Sequence, residues 1–445
     1  MPEAELLLRF DRLLGKAQSE QRMPSVSACV FRGDEIVWER VIGVADIDAG
    51  HDATADHVYR IGSITKTFTA VLIMQLVNEG RIALDAPMRT YLPEAPIGPT
   101  IRMALSHMTG LQREPPGEIW ETMISPTREE LVAGLEDAEF VLAPGETWHY
   151  SNLIFALLGE IVMRCRGATY ADVLQSRILD PLGLTRTSLR PDEPKARPYY
   201  VHPHTDTASI EPDPEVTESL GAAGWLWSTA AELARWGSFL AAGDDAVLPK
   251  PSLDLMARVQ TMAEEATWSV GWGLGLELCR RGDRVLVGHG GAMPGFLAAI
   301  FVHRAESIGA VVLANTGAEA DPEGLALDLA VAALEGLPAE PKRWRPGAAL
   351  PKELDGILGQ WWTEGEAMAL SFRDDRFRAE MVGARSDRTV SWFEADGVDR
   401  WRVVEGRERG ELLRAVRDED GTVTKLYFAT YPMTRWPSTF GEPNS

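Results

Sequence analysis

A serine three residues ahead of a lysine, in Gly62-Ser63-Ile64-Thr65-Lys66, pairs a nucleophile with a base if the stretch is helical. The three-residue offset then brings both side chains to one helix face. A serine hydroxyl attacks poorly until a neighbour takes its proton. A lysine amine can take it once burial disfavours the charged form, and a helix N-terminus at Ser63 steadies negative charge developing there. The same five residues equally describe a capping serine followed by a solvent-facing lysine, so their meaning depends on the rest of the chain.

Two further segments supply that context. Tyr150-Ser151-Asn152 follows Pro144-Gly145-Glu146-Thr147-Trp148-His149. A tyrosine hydroxyl can pass a proton between nucleophile and leaving group when nearby cations lower its pKa, and an asparagine amide can orient a lysine or donate to a carbonyl. Ser151 or Asn152 can also simply start the helix that follows. The third segment, His289-Gly290-Gly291-Ala292, comes after a strand-like run from Arg284 to Val287. Its glycines let a substrate approach the backbone and let the strand pair with an extended substrate, and a backbone N–H there can supply half of an oxyanion hole. Read alone, it is a loop glycine pair with an incidental histidine.

The elements that must position these segments follow from apolar periodicity. Leu6, Leu7, Phe10, Leu13 and Leu14 mark an amphipathic helix within 3–17, and Ser25–Phe31 and Ile36–Ile42 flank the turn Arg32-Gly33-Asp34 as a hairpin. A helix runs from Ser63 through Val77, with Gly80 as its C-cap, and others cover Asn152–Arg164, Ala230–Ala241 and Leu325–Leu334. Val285–Val287, Phe296–His303 and Gly309–Ala314 read as successive strands. Strands at both ends of a helical middle predict an α+β domain, an antiparallel sheet packed against helices. Pro338, Pro341, Pro346 and Pro351 punctuate a boundary, and beyond it only short alternating strands follow, the pattern of a small antiparallel barrel. The expected division is 1–345 and 346–445.

The chain has 445 residues, 45% hydrophobic and 25% charged, with a formal net charge of −22. That charge disfavours nucleic acid and anionic membrane as partners. No apolar run approaches a membrane span, and the start, Met1-Pro2-Glu3-Ala4-Glu5, is acidic where an export signal is basic. Cys29, Cys165 and Cys279 are widely spaced and form no metal-ligand pattern, so no metal or other cofactor is expected. The expected location is the cytoplasm.

Taken in order, the three segments resemble the serine β-lactamase and penicillin-binding-protein superfamily, in the branch of class C β-lactamases, D-aminopeptidases, carboxypeptidases and esterases. Ser106-His107-Met108-Thr109-Gly110-Leu111, Pro181-Leu182-Gly183-Leu184, Gly271-Trp272-Gly273-Leu274-Gly275 and Leu313-Ala314-Asn315 extend the likeness over about 20–320. The resemblance implies that Ser63 is the nucleophile, Lys66 its base and Tyr150 the second proton-handling group. It implies that Asn152 contacts lysine and substrate, and that the N–H groups of Ser63 and Ala292 form the oxyanion hole. His289, Gly290 and Gly291 stand where β-lactamases read Lys-Thr-Gly, which removes two groups that bind a β-lactam carboxylate. Trp225, Asn315 and Arg435 are further candidates for substrate contact, and the C-terminal strands resemble appended lipocalin-like domains. The substrate class implied is a small ester, amide or peptide. Hydrolysis is the leading expectation. Transfer to an amine, as in an acyltransferase or a peptide-cyclising thioesterase, and a non-catalytic sensor are the alternatives, and the oligomeric state stays open.

Overall fold

The computed structural model describes residues 3–214, 217–317, 319–337, 344–363, 365–383 and 390–437. Pro338 and Pro341 of the proline-punctuated boundary lie outside the described residues. The chain forms two compact units, Met1–Ala339 and Glu340–Ser445.

The first unit is built on a nine-stranded antiparallel sheet. Its strands are β1 (Ser25–Arg32), β2 (Glu35–Asp46), β3 (His51–Asp52), β4 (Thr261–Glu264), β5 (Val270–Trp272), β6 (Glu277–Arg281), β7 (Arg284–Met293), β8 (Phe296–His303) and β9 (Ile308–Ala314). Their spatial order is β3-β2-β1-β9-β8-β7-β6-β5-β4, so strands from both ends of the unit meet where Val26 pairs with Ala314 and Arg32 with Ile308. Alternation along these strands sorts side chains between two cores. Ala28, Val30, Phe301, Ala310 and Val312 pack against Leu6, Phe10 and Leu14 of helix α1 (Glu3–Glu20). Cys29, Phe31, Ile300, Val311 and Leu313 belong to the larger core on the other face.

That larger core is organised around helix α2 (Thr65–Asn78), which is buried continuously from Thr65 to Leu76. A helix buried on every side has no solvent face to offer and becomes the spine of the domain. It ends on Glu79, with Gly80 beyond at φ 70°, the conformation expected of a glycine cap. Around it stand α3 (Asn152–Arg166), α4 (Glu218–Gly224) and α5 (Ala230–Ala242), while α6 (Pro322–Gly336) covers the opposite sheet face with α1. The strand anticipated only at Val285–Val287 runs the full length of β7 and carries the His-Gly-Gly segment inside it.

The second unit is an eight-stranded antiparallel meander, with each strand beside its sequence neighbour, from β10 (Gly359–Thr363) to β17 (Tyr431–Met433). Trp362 and Thr434 exchange both backbone hydrogen bonds, at 2.7 and 3.0 Å, and bring the first and last strands together. This single bridge nearly closes the sheet into a barrel and shortens the open edges that would otherwise recruit other strands. Trp361, Leu370, Phe377, Phe393, Trp401 and Leu426 fill the interior, so the barrel has its own apolar core. A chain ending at residue 345 is therefore expected to fold and to melt in one cooperative transition. Circular dichroism on the truncated protein checks this, and a soluble product without a cooperative transition would contradict it.

Candidate active site

The chain enters α2 through a single turn of 3-10 helix, Gly62–Ile64, and Gly62 takes φ 51°. This places Ser63 beside Lys66, whose side chain is wholly buried. The Lys66 Nζ lies 2.9 Å from Ser63 Oγ, donates to Asn152 Oδ1 at 2.7 Å, and donates to the Ala223 carbonyl at 2.5 Å. Burial pushes the ammonium down to about 7, opposed by Glu114, which favours the charge, and aided by Arg113, which disfavours it. Two of the three neighbours are pure acceptors and claim two N–H bonds. In the amine form the remaining tetrahedral direction, toward Ser63, is the lone pair. Asn152 is delivered by α3, whose Ser151 cap accepts from the Ile154 N–H.

Tyr150 immediately precedes that cap. Its ring stacks on His107 at 4.3 Å and 27°, with Lys66 Nζ and Arg113 Cζ each 5.0 Å from its centroid. Burial pushes the phenol well above its ordinary range despite a hydrogen bond with Ser63 and the Arg113 charge. The expectation that nearby cations lower this pKa is therefore corrected: desolvation is the larger effect, and Tyr150 stays a neutral phenol. His107 accepts from the Ser151 N–H through Nδ1 and fixes the backbone between Tyr150 and Asn152.

β7 forms the facing wall. A Cβ on Gly62 would stand 2.5 Å from the Ala292 nitrogen, and one on Gly291 would stand 2.0 Å from the Ile61 carbonyl oxygen and 3.3 Å from the Ser63 nitrogen. The two glycines thus let β7 press against the serine turn, with the Ser63 and Ala292 N–H groups on adjoining backbone. His289 is buried, and burial together with Lys66 holds its imidazole down at about 3. Its Nδ1 is 2.5 Å from the Gly290 carbonyl, while Glu277 accepts from the Gly290 N–H. Both polar groups of Gly290 are engaged within the chain, so the expected pairing with an extended substrate is not open at that residue.

A cleft of about 390 Å³ connects these parts, and Arg113, Trp148, Trp272, Glu277 and Glu323 also line it. Burial, with Glu323 beside it, pushes the Glu277 carboxyl up to about 8. Gly290 leaves room for this pair, since a Cβ there would meet Glu323 Oε2 at 2.7 Å. Among the described residues, Glu277, Cys279 and Glu323 form the cluster able to offer a metal three donors, within 4.8 Å of one another. Burial, with the neighbouring carboxyl groups, pushes both the Cys279 thiol and the Glu277 carboxyl up. All three cysteines are free.

Sequence reasoning brought Ser63, Lys66, Tyr150, Asn152, His289, Gly290, Gly291 and Ala292 forward, and the fold gathers them around one cleft. Trp225 is buried and walls a small recess beside Ser63, with Trp120, Glu114 and Asn152. Asn315 has a different position from the one expected. It is fully buried, and its Oδ1 accepts from the Ser25 N–H and hydroxyl at 2.6 and 2.7 Å, so its amide ties β9 to the start of β1. Arg435 is likewise occupied inside the second unit. Its guanidinium lies 3.8 Å from the Trp361 ring centroid and donates to the Leu358 and Gln360 carbonyls. Arg113, Glu114, Glu277 and Glu323 escaped notice. The first two directly follow the Ser106–Leu111 segment and Glu277 closely follows Gly271–Gly275, whereas Glu323 arrives only through the packing of α6.

The Beta-lactamase family model matches residues 10–335, and the chain belongs to that family. Residues 350–435 match a domain family of unknown function, DUF7586. Beta-lactamase-like protein 2 of Dictyostelium discoideum is 31% identical over 248 residues, 52% of this chain and 44% of that protein. Esterase EstB of Burkholderia gladioli is 32% identical over 219 residues, 44% of this chain and 55% of the esterase. The matches thus span about half the length of each of these two relatives. The crystal structure of a D-stereospecific amidohydrolase from Streptomyces sp. superposes with a TM-score of 0.62 at 26% identity, covering 75% of this chain and 99% of that one. Among the described residues, no helix is long and apolar enough to cross a membrane.

The tight contact of Gly291 with the serine turn gives a test of the oxyanion-hole assignment. Gly291→Ala is expected to lower kcat by about 10²-fold, the cost of misplacing one oxyanion donor, with the far-UV circular dichroism unchanged. An unchanged kcat would remove the assignment.

Proposed function

We propose that the protein is a serine hydrolase of small esters or amides that works through an acyl-enzyme on Ser63. The observation that carries this reading is the 2.9 Å approach of Lys66 Nζ to Ser63 Oγ, with its other hydrogens held by Asn152 and Ala223. Ser63 Oγ attacks the substrate carbonyl carbon while its proton passes to the Lys66 amine. The oxyanion is received by the N–H groups of Ser63 and Ala292. Tyr150, a neutral phenol that lines the cleft beside Ser63 and Lys66, gives its proton to the leaving alkoxide or amine and recovers one from Lys66. Water then attacks the acyl-enzyme, its proton following the reverse path, and the acid departs from Ser63. An esterase and a D-stereospecific amidohydrolase among the similar proteins support this substrate class.

Four measurements test the reading. A fluorophosphonate is expected to add mass to the peptide holding Ser63, and not in Ser63→Ala; labelling that survives the substitution overturns the assignment. Lys66→Ala and Tyr150→Phe should each lower kcat by about 10²–10⁴-fold, and a variant with near-normal kcat leaves the mechanism.

The pH dependence has a definite sign. Lys66 must be an amine to act as base, and its ammonium form is held down to about 7. Activity should therefore rise with pH through about 7 and be lost below it, with no alkaline fall before the raised Tyr150 phenol ionises. A rate flat between pH 5 and 9 contradicts the role of Lys66. Offering an activated ester with and without an amino-acid amide separates hydrolysis from transfer. Acid should dominate at millimolar amine, and mostly amide product would make the protein an acyltransferase.

A further inference from the structure

We infer that Glu114 is a positioning residue for acylation, setting through Asn152 the direction in which the Ser63 proton can move. This rests on the acyl-enzyme reading above. The hydrogen bonds run in one line. Asn152 Nδ2 donates to Glu114 Oε1 at 2.6 Å, Lys66 Nζ donates to Asn152 Oδ1 at 2.7 Å, and Nζ lies 2.9 Å from Ser63 Oγ.

An asparagine amide is nearly symmetric in shape and can present either end to Lys66. With Oδ1 toward Nζ, the lysine donates to Asn152 and Ala223, and its lone pair is left for the Ser63 proton. With the amide turned over, Nδ2–H would take that lone pair. The two remaining amine hydrogens would then point at Ala223 and Ser63, and the lysine would donate to the serine when it needs to accept. A carboxylate has no hydrogen to give, so Glu114 accepts from Nδ2 and enforces the productive orientation. A glutamine in its place could itself turn over and would leave the choice open.

Glu114 also acts on the lysine through its charge. The groups around Nζ are Glu114 and Arg113 from the segment after Leu111, His107 from the same stretch, Tyr150 and Asn152 at the start of α3, and His289 on β7. Burial holds both histidines neutral, and Arg113, with Nε 3.6 Å from Glu114 Oε1, opposes a second cation. Glu114 supplies the attraction that lets the amine hold the proton it has taken.

The test compares wild type, Glu114→Gln and Glu114→Ala over pH 5–9. It measures the rate of Ser63 labelling by a neutral fluorophosphonate, and kcat and KM on an uncharged p-nitrophenyl ester. Glu114→Gln, nearly the same size, should fold normally. Its acid limb should move down by about one pH unit, since an attracting charge is lost near Lys66. Its kcat should fall about tenfold or more while KM moves little, because misplacing one group costs up to about 10²-fold. Glu114→Ala should lose more kcat than Glu114→Gln. A Glu114→Gln enzyme with wild-type kcat and an unmoved acid limb overturns the inference, as does a rise in KM alone, which would make Glu114 a substrate contact. A wild-type protein unlabelled at every pH is a different failure: it removes the acyl-enzyme reading and this inference with it.

Discussion

A primary amine buried without a direct ion pair has to be satisfied by neutral acceptors, and this requirement at Lys66 governs the first unit. Its partners come from separate parts of the chain: the acceptors Asn152 from the first turn of α3 and Ala223 from α4, and the Ser63 hydroxyl from the turn that leads into α2. Their carriers must approach closely. A Cβ on Gly159 of α3 would stand 2.4 Å from the Ala222 Cβ, so glycine there lets α4 close on α3 and bring the Ala223 carbonyl to Nζ. On another side of α2, a Cβ on Gly275 would stand 2.2 Å from the Ala70 Cβ. The small residues of Gly221-Ala222-Ala223-Gly224 are thus part of the lysine's solvation, supplied by backbone where water has been excluded.

The same economy of side chains builds the opposite wall. Gly62 and Gly291 face each other across the meeting of the serine turn and β7, and neither tolerates a Cβ without displacing backbone. Two N–H groups from segments some 230 residues apart in sequence, at Ser63 and Ala292, are thereby set on adjoining backbone. Rigid placement of backbone donors before a substrate arrives is what makes them effective against developing charge. The sheet explains the rigidity: β7 is paired with β8 from Val287 to Met293, so the segment carrying His289, Gly290, Gly291 and Ala292 is a strand and not a loop.

How much of this could be read beforehand depends on the range of the interaction. The Ser63–Lys66 offset, the Ser151 cap before Asn152, the Gly80 stop and the α1 stripe are local patterns, and each was legible because its physics lies within one or two turns of chain. The alternating strands of the barrel were legible for the same reason, apart from Gly359–Thr363 and Tyr431–Met433, the short first and last strands, which are defined by closing on each other. Asn315 and Arg435 were misplaced because their side-chain partners, Ser25 and Trp361, are distant in sequence. The raised pKa of Tyr150 depends on how completely the fold surrounds the ring, which no local pattern of the sequence encodes.

The charge of the cleft follows from packing that no single motif reveals. Where the resemblance to β-lactamases would put a lysine and its positive group on β7, His289 is buried beside Lys66 and held neutral. The missing side chain at Gly290 makes room for Glu323, which stands against Glu277 at the N-terminal end of α6. Replacing a hydroxyl residue by glycine therefore does more than delete a hydrogen bond: it opens β7 to two carboxyl groups. Burial and the neighbouring Glu323 favour a proton on Glu277, whose carboxyl is pushed up to about 8. Among the described residues, Arg113 brings a guanidinium to the cleft lining, on the Tyr150 side. The cleft thus has a guanidinium on the Tyr150 side and a carboxyl pair beside the glycine strand. On the β7 side the cleft therefore presents carboxyl groups at the place where the resemblance to β-lactamases would put a lysine and a hydroxyl residue.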